Sequence, residues 1–312
     1  MNTMLGKKSS NLDEPILSLC IPTNGVIEWV FPVLDSIYNN VEDLSKFEVV
    51  IENNGDNKEF ERELCNYQTK YQNIKYHKST AEGFLCQIDC FKHAQGQFIK
   101  FVNHRSLLEE GTLKYLIEFA ENNKNKKPVV YFSNGYLKDL NCQSFNSFVS
   151  GLEYWSSWSG GLAFWKEDID LLLKKKKYNS LFPHTDVLFI KRNCSNYLID
   201  SKKIFSEIQA GHSLKGKYNL FKAFADEYLS IINDLLREEA ITVETFLSVK
   251  KSLRSFLAGC YIDFIILKKP ASYYFDNAWK YLNIYYSLHQ VVFSIFIKIF
   301  SRVIRKIVRV FC

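Results

Sequence analysis

The chain has 312 residues, of which 47% are hydrophobic, 15% aromatic and 24% charged. Such a composition fills a sizeable core and excludes a largely disordered chain. The net charge is +6, but Lys298, Arg302, Arg305, Lys306 and Arg309 lie in residues 298–312 with no acid among them, so the rest is near neutral, which excludes a general nucleic-acid-binding surface.

The opening MNTMLGKKSSNLDEP has no apolar run, so no signal peptide is expected, and residues 1–14 read as a flexible N-terminus. ILSLCI (residues 16–21) predicts a buried strand, and PTNG (22–25) a turn. Residues 27–38 carry apolar side chains at helical spacing. FEVVIE (47–52) predicts a second strand, followed by the loop NNGDN and a charged helix over 59–71. IKYHK (74–78) predicts a short strand, 83–94 a helix, QFIKFV (97–102) a strand, 110–122 a helix and PVVYF (128–132) a strand. Residues 133–160 read as loop-rich, ending in SWSGG. GLAFW (161–165) returns to the sheet, 167–177 is helical and ends in a solvated lysine run, and 218–268 is mainly helical. No Cys-x-x-Cys pair occurs among the eight cysteines. Cys20, Cys65, Cys86, Cys90 and Cys260 read as reduced core thiols rather than a disulfide framework or a zinc site.

Strands alternating with helices predict a mostly parallel sheet with helices on both faces. Ligands in such sheets sit at the carboxyl ends of the strands. Three loops leave those ends: 22–25, 53–57 and 103–106. The third belongs to FIKFVNHRSLLEEG (98–111), a buried strand running into a polar turn.

The order CIPT (20–23), VVIENNGD (49–56), HAQGQFIKF (93–101) and LLEEG (107–111) resembles family 2 glycosyltransferases, bacterial enzymes of the GT-A fold. The likeness covers about 15–120 and continues more loosely through SGGLAFW (159–165) and FPHTD (182–186). GKYNLFKAFADEYLSII (216–232) is similar to the C-terminal helical part of members that build O-antigen or capsule. The resemblance implies an α/β GT-A (Rossmann-like) fold with a helical C-terminal extension. Residues 15–212 would form the glycosyltransferase domain and 213–290 a helical region. It implies sugar transfer from a nucleotide-sugar donor, a UDP-sugar foremost, to a lipid-linked saccharide in surface polysaccharide synthesis, with inversion.

The resemblance also implies roles. Pro22 and Thr23 lie against the nucleoside. Asn53 falls where the family has a base-contacting aspartate, with Asp56 in the same loop; a turn rich in Asn and Gly is the other reading of that loop. The family's acidic cluster for Mg2+ or Mn2+ falls on His104, Arg105 and Ser106, so the usual ligands are missing and no cofactor is assigned. Arg105, with His104, is expected to neutralise the departing diphosphate. The alternative is a catalytically inactive, nucleotide-binding partner of another membrane-bound glycosyltransferase. Asp186 is the expected general base and His184 its substitute; Asp186 reads equally as a helix first-turn residue. Trp158, Gly160 and Gly161 shape the acceptor junction, where Trp155 and Trp158 stack on a sugar or pack in the core. His212 and Lys215 lie in a loop that could cover the phosphates.

The tail needs no family. In residues 291–312, Ser294, Lys298, Ser301, Arg302, Arg305, Lys306 and Arg309 share one helical face, and Phe, Ile and Val residues fill the rest. This pattern predicts a helix lying on an anionic membrane surface, with each basic residue worth about 1 kcal/mol near the lipid. The expected location is cytoplasmic, peripheral on the inner face of the cytoplasmic membrane. A helix docked in the core or in an oligomer is the competing reading.

Overall fold

The computed structural model describes residues 14–311 except 40, 42 and 209–216, with side chains to residue 304. The first half alternates as expected: β1 (Leu17–Thr23), α1 (Ile27–Tyr38), β2 (Phe47–Asn53), α2 (Lys58–Lys70), β3 (Ile74–Lys78), α3 (Cys86–His93), β4 (Phe98–Phe101), β5 (Ser106–Leu108), α4 (Thr112–Asn123) and β6 (Val129–Phe132). Then come β7 (Leu140–Cys142), α5 (Phe145–Leu152), β8 (Leu162–Trp165), α6 (Ile169–Lys174), α7 (Pro183–Leu188), β9 (Tyr197–Asp200) and β10 (Phe205–Glu207).

Eight strands form one sheet in the order β3-β2-β1-β4-β8-β6-β9-β7. β3, β2, β1 and β4 run parallel; β8 is antiparallel to β4 and β6, and β7 to β9. The strands read as nearly unbroken apolar runs because both faces are covered. Along β1, Leu17, Leu19 and Ile21 enter one core with α1, and Cys20 enters the other with α3. The carboxyl ends of β1, β2 and β4 thus share one edge. β5 and β10 make a separate antiparallel ribbon at that edge, pairing Ser106 with Glu207.

Residues 133–160 are more ordered than expected. They hold β7 and α5, whose Phe145, Phe148, Val149 and Leu152 are buried at helical spacing behind a Ser144–Ser147 capping box. Cys65 is exposed, because α2 buries Phe60 and Leu64 on its other side; Cys20, Cys86, Cys90 and Cys260 are buried free thiols.

The C-terminal part is helical. α8 (Leu220–Lys222) runs through a π-helical stretch (Ala223–Tyr228) into α9 (Leu229–Arg237). α10 (Val243–Cys260) continues into a second π-helical stretch (Tyr261–Ile266). α11 (Ala278–Tyr285) and α12 (Leu288–Phe311) complete it. These helices share a core with the sheet face that carries Cys20, Val50 and Phe101.

α12 docks the opposite way round from the expected geometry. Val291 and Ile295 are buried against the protein, Lys298 donates to Ser255 Oγ (3.2 Å), and Arg302 forks onto Asp263 (2.9 and 2.8 Å). The outward face is apolar: Phe293, Phe296 and Phe300 are 64%, 66% and 68% exposed, beside exposed Ile297, Val303 and Ile304. Half-buried Asp263 and the Ser255 hydroxyl, on α10 and its π-helical continuation, draw Arg302 and Lys298 toward the protein. Among the described residues no single helix is long and apolar enough to cross a membrane.

Candidate active site

Two adjoining cavities open at the carboxyl edge of the sheet. One, of about 490 Å3, is bordered by Pro22, Thr23, Asn54, Glu82, Phe84 and Lys217. The other, of about 450 Å3, is walled by Tyr136, Tyr154, Trp155 and Trp158 and carries Arg105, His184 and Glu207. Trp29, Phe84, Gln87, Asn103 and His104 border both, so the two are halves of one cleft.

Local chemistry builds the turn after β4. Val102 N–H donates to Cys20 O (2.8 Å), holding the register one residue beyond the strand. Asn103 Oδ1 then accepts from Arg105 N–H (3.0 Å), and Ser106 N–H donates to Asn103 O (2.9 Å), which reverses the chain. Ser106 Oγ donates to Glu207 Oε1 (2.6 Å) and Ile208 N–H donates to Arg105 O (2.9 Å), so the β5–β10 ribbon clamps the turn from its far side.

His104 Nδ1 lies 2.9 Å from Thr23 Oγ1. Burial, reinforced by the Arg105 charge, pushes the imidazole pKa down to about 3, so it is neutral near pH 7. Trp29 and His104 form a T-shaped pair with centroids 4.9 Å apart, and the Trp29 ring faces Arg105, whose guanidinium carbon lies 5.2 Å from the ring centroid. Arg105 Nε is buried without a partner among the described residues. α1 looked like a plain core helix in the sequence, so Trp29 gave no signal there.

The expected nucleotide contacts divide. Pro22 and Thr23 line the first of the two cavities. Asn53 does not: it is fully buried, its amide donating to Tyr76 Oη (3.2 Å) and accepting from Gly55 N–H (2.9 Å). Asn54 borders the cavity in its place. Asp56 is also outside, exposed and 3.3 Å from Lys78 Nζ. Gly55 lets the two loops touch, since a Cβ there would lie 2.0 Å from Asn24 O. The turn-like content of NNGD therefore serves loop packing. Cys86, also at the cavity, has its thiol pushed up to about 12, by burial and then Glu52, so it is no thiolate.

The candidate bases also separate. His184 and Asp186 are two residues apart on α7, about 200° around the helix, so they face opposite ways. His184 borders the cleft; its Nε2–H donates to Ser157 O (2.9 Å) and its Nδ1 is buried and without a partner among the described residues. Burial pushes its pKa down to about 4, partly offset by the bond to Ser157 O. Asp186 is turned away from the cleft, accepting from Asn179 N–H (2.6 Å) and pairing with Lys175 (3.2 Å). It borders a different surface hollow, with Arg192 and Glu238. The carboxylate that faces the aromatic half is Glu207. No motif marks it; it arrives through a three-residue strand whose partner is a hundred residues earlier in the chain.

Trp158 lines the cleft, and Gly160 and Gly161 lie buried beneath it. A Cβ would sit 2.3 Å from the Trp158 ring at residue 160 and 2.2 Å from the Tyr131 ring at residue 161, so these glycines permit packing rather than contact the cavity. Trp155 stacks between Tyr136 (4.3 Å) and Tyr154 (5.2 Å). Lys100 anchors this wall from below. Fully buried, its Nζ donates to Phe101 O (2.8 Å), Gly160 O (2.5 Å) and Leu162 O (3.2 Å), and burial drives its pKa well down. His212 and Lys215 lie outside the described residues.

The turn offers an amide, an imidazole engaged by Thr23 and a guanidinium, a set that does not fit Mg2+ or Mn2+. Among the described residues no three His, Cys, Asp or Glu side chains converge as metal ligands.

No protein-family model and no curated protein sequence matches the chain. Solved structures do. S. aureus TarS 1-349 in complex with UDP-GlcNAc matches with a TM-score of 0.57 at 14% identity, over 89% of this chain and 79% of that one. TarS 1-349 in complex with UDP matches with a TM-score of 0.51 at 15% identity, over 81% and 75%. Against a further TarS structure the TM-score is 0.51 at 14% identity, over 78% of this chain but 43% of that one, so the chain spans less than half of it. Topology and likeness together show the fold: this is a GT-A-type α/β chain, its mostly parallel sheet flanked by helices and followed by a helical C-terminal extension.

Proposed function

We propose that the chain is a glycosyltransferase that moves a sugar from a nucleotide-sugar donor, with UDP-sugars first to test, to a saccharide hydroxyl with inversion. The reading rests on one observation: a cavity at the carboxyl ends of β1 and β4, edged by Thr23, Asn54 and Lys217, continues into an aromatic cavity that carries, among the described residues, Arg105 and the carboxylate of Glu207. TarS structures of the same fold hold UDP-GlcNAc and UDP, which supports the donor class.

In this reading Pro22, Thr23, Asn54 and Phe84 shape the nucleoside half. The bond from sugar C1 to the diphosphate oxygen breaks, and charge grows on the departing diphosphate. Arg105 meets that charge with a fork of N–H donors. Neutral His104 adds no charge; it holds the turn through Thr23. The acceptor hydroxyl, on the aromatic side, forms the new bond to C1 and gives its proton to Glu207. Aromatic rings suit the apolar face of a sugar. His184 Nδ1 is too enclosed to reach a hydroxyl, and Asp186 is on the wrong side. The exposed rings of α12 support a reading in which the protein works on the inner face of the cytoplasmic membrane, with a lipid-linked saccharide of surface polysaccharide synthesis as the acceptor.

The test is UDP release and thermal shift across a panel of nucleotide sugars, with and without EDTA. Slow hydrolysis that survives EDTA is expected. Failure of every nucleotide to bind would overturn the reading. Binding without turnover would favour the inactive partner subunit, to which the missing carboxylates at residues 103–106 point.

A further inference from the structure

A third cavity, of about 610 Å3, lies under α12 on the side away from the nucleotide half. It shares Tyr154, Phe224, Phe256 and Tyr273 with the aromatic half of the cleft, so one aromatic wall serves both. Tyr154 stacks on Phe256 (5.0 Å), and Phe224 leans on Phe256 (5.1 Å). The side under α12 is built differently. Lys298 and Arg302 border it, and Gly259 keeps α10 close to them: a Cβ there would lie 3.6 Å from Lys298 Cε.

The two cations that border this cavity are paired differently. Asp263 holds both Arg302 (2.8 Å) and Lys269 (2.6 Å). Lys298 meets a hydroxyl, Ser255 Oγ, and no carboxylate among the described residues. Glu153 also borders the cavity but is exposed at its rim. Of the two cations that border the cavity, Lys298 is the one with no carboxylate partner among the described residues, which leaves its ammonium to meet an anion in the aromatic recess. Directly opposite, on the far face of the same helix, stand Phe293, Phe296 and Phe300, open to the outside.

We infer that this cavity binds the phosphate of a long-chain alcohol phosphate or diphosphate: the carrier end of an amphiphilic acceptor, whose chain follows the apolar face of α12 and whose sugar reaches the cleft past Tyr154 and Phe256. The inference deepens the glycosyltransferase reading and rests on it for the sugar end. Lys298 supplies the charge, and the aromatic wall joins the lipid side to the reaction side. An acceptor held at both ends loses less freedom on reaching the site.

The experiment uses the full chain and octyl phosphate below its micelle concentration, with n-octanol and inorganic phosphate as the two half-ligands. Binding is followed by tryptophan fluorescence and calorimetry, in wild type and in Lys298→Met, which keeps the side-chain length. Octyl phosphate is expected to bind at least tenfold more tightly than either half-ligand, and about tenfold more weakly to Lys298→Met, with UDP binding unchanged in that variant. Equal binding of octyl phosphate by the two proteins would overturn the inference, as would competition between octyl phosphate and UDP. Tight binding of inorganic phosphate alone would also overturn it, reducing the site to a phosphate site. If no nucleotide binds but octyl phosphate does, and Lys298→Met weakens it, the cavity stands and the transferase reading falls. If UDP binds and octyl phosphate does not, the reverse holds.

Discussion

The Arg105 guanidinium lies over the ring of Trp29, 5.2 Å from its centroid, while His104 meets the same indole in a T-shaped pair. Trp29 comes from α1 and Arg105 from the turn after β4, so the contact ties two strand-end regions together. It holds the cation over an apolar surface, with Nε buried and without a partner among the described residues.

Arg105→Ala is therefore expected to lower kcat by about a hundredfold or more, with a smaller loss of UDP affinity, because the diphosphate carries most charge as it departs. Arg105→Lys should recover little of this, since an ammonium cannot fork or stack. Steady-state kinetics with UDP-release detection reads both. An unaltered kcat in Arg105→Ala would remove the residue from the chemistry.

Glu207→Gln should reduce transfer to the acceptor by about 10²–10⁴-fold while leaving UDP binding intact. Asp186→Asn should leave transfer within a few-fold, its carboxylate being spent on Asn179 and Lys175. The opposite ranking of the two variants would return the base to α7.

His184 gives a pH signature. Its folded pKa is near 4, against about 6.5 when unfolded, so between these values the unfolded chain binds the proton that the folded chain refuses. Stability therefore falls as pH drops from about 6.5 toward 4. His104, held near 3, adds in the same direction, and Glu52, raised mainly by burial, acts in the opposite one. Urea unfolding of His184→Phe near pH 5 should show a slope smaller than wild type by about 1.4 kcal/mol per pH unit. An unchanged slope would show that His184 titrates normally.

Phe296→Ser with Phe300→Ser should leave the melting temperature nearly unchanged, because both rings are exposed. Flotation with phosphatidylglycerol-containing vesicles should nonetheless weaken by about a hundredfold or more, at about 2 kcal/mol per ring. Raised salt should weaken wild-type binding without abolishing it, since Lys298 and Arg302 are turned toward the protein. Release by salt alone, with the double variant still bound, would restore a charge-led attachment.

The residues themselves determined a good deal. Apolar runs of four to six residues between helical repeats set the parallel sheet, and the turn chemistry of 22–25 and 103–106 marked its carboxyl edge, because strand and helix periods and turn preferences are local properties. The amphipathic pattern of 291–312 was equally plain. What the pattern could not give was direction. Which face of α12 turned inward depended on Asp263 and Ser255, more than thirty residues earlier in sequence. The same holds in the cleft. Asn53 and Asp186 sat in promising stretches, but their side chains were claimed by Tyr76 and Lys175. Glu207 and Trp29 sat in unremarked ones and were brought to the cleft by the β5–β10 pairing and the packing of α1. A side chain's partner is chosen by the fold across long sequence separations, so the sequence marked the edge of the site and the tertiary structure decided which residues face it.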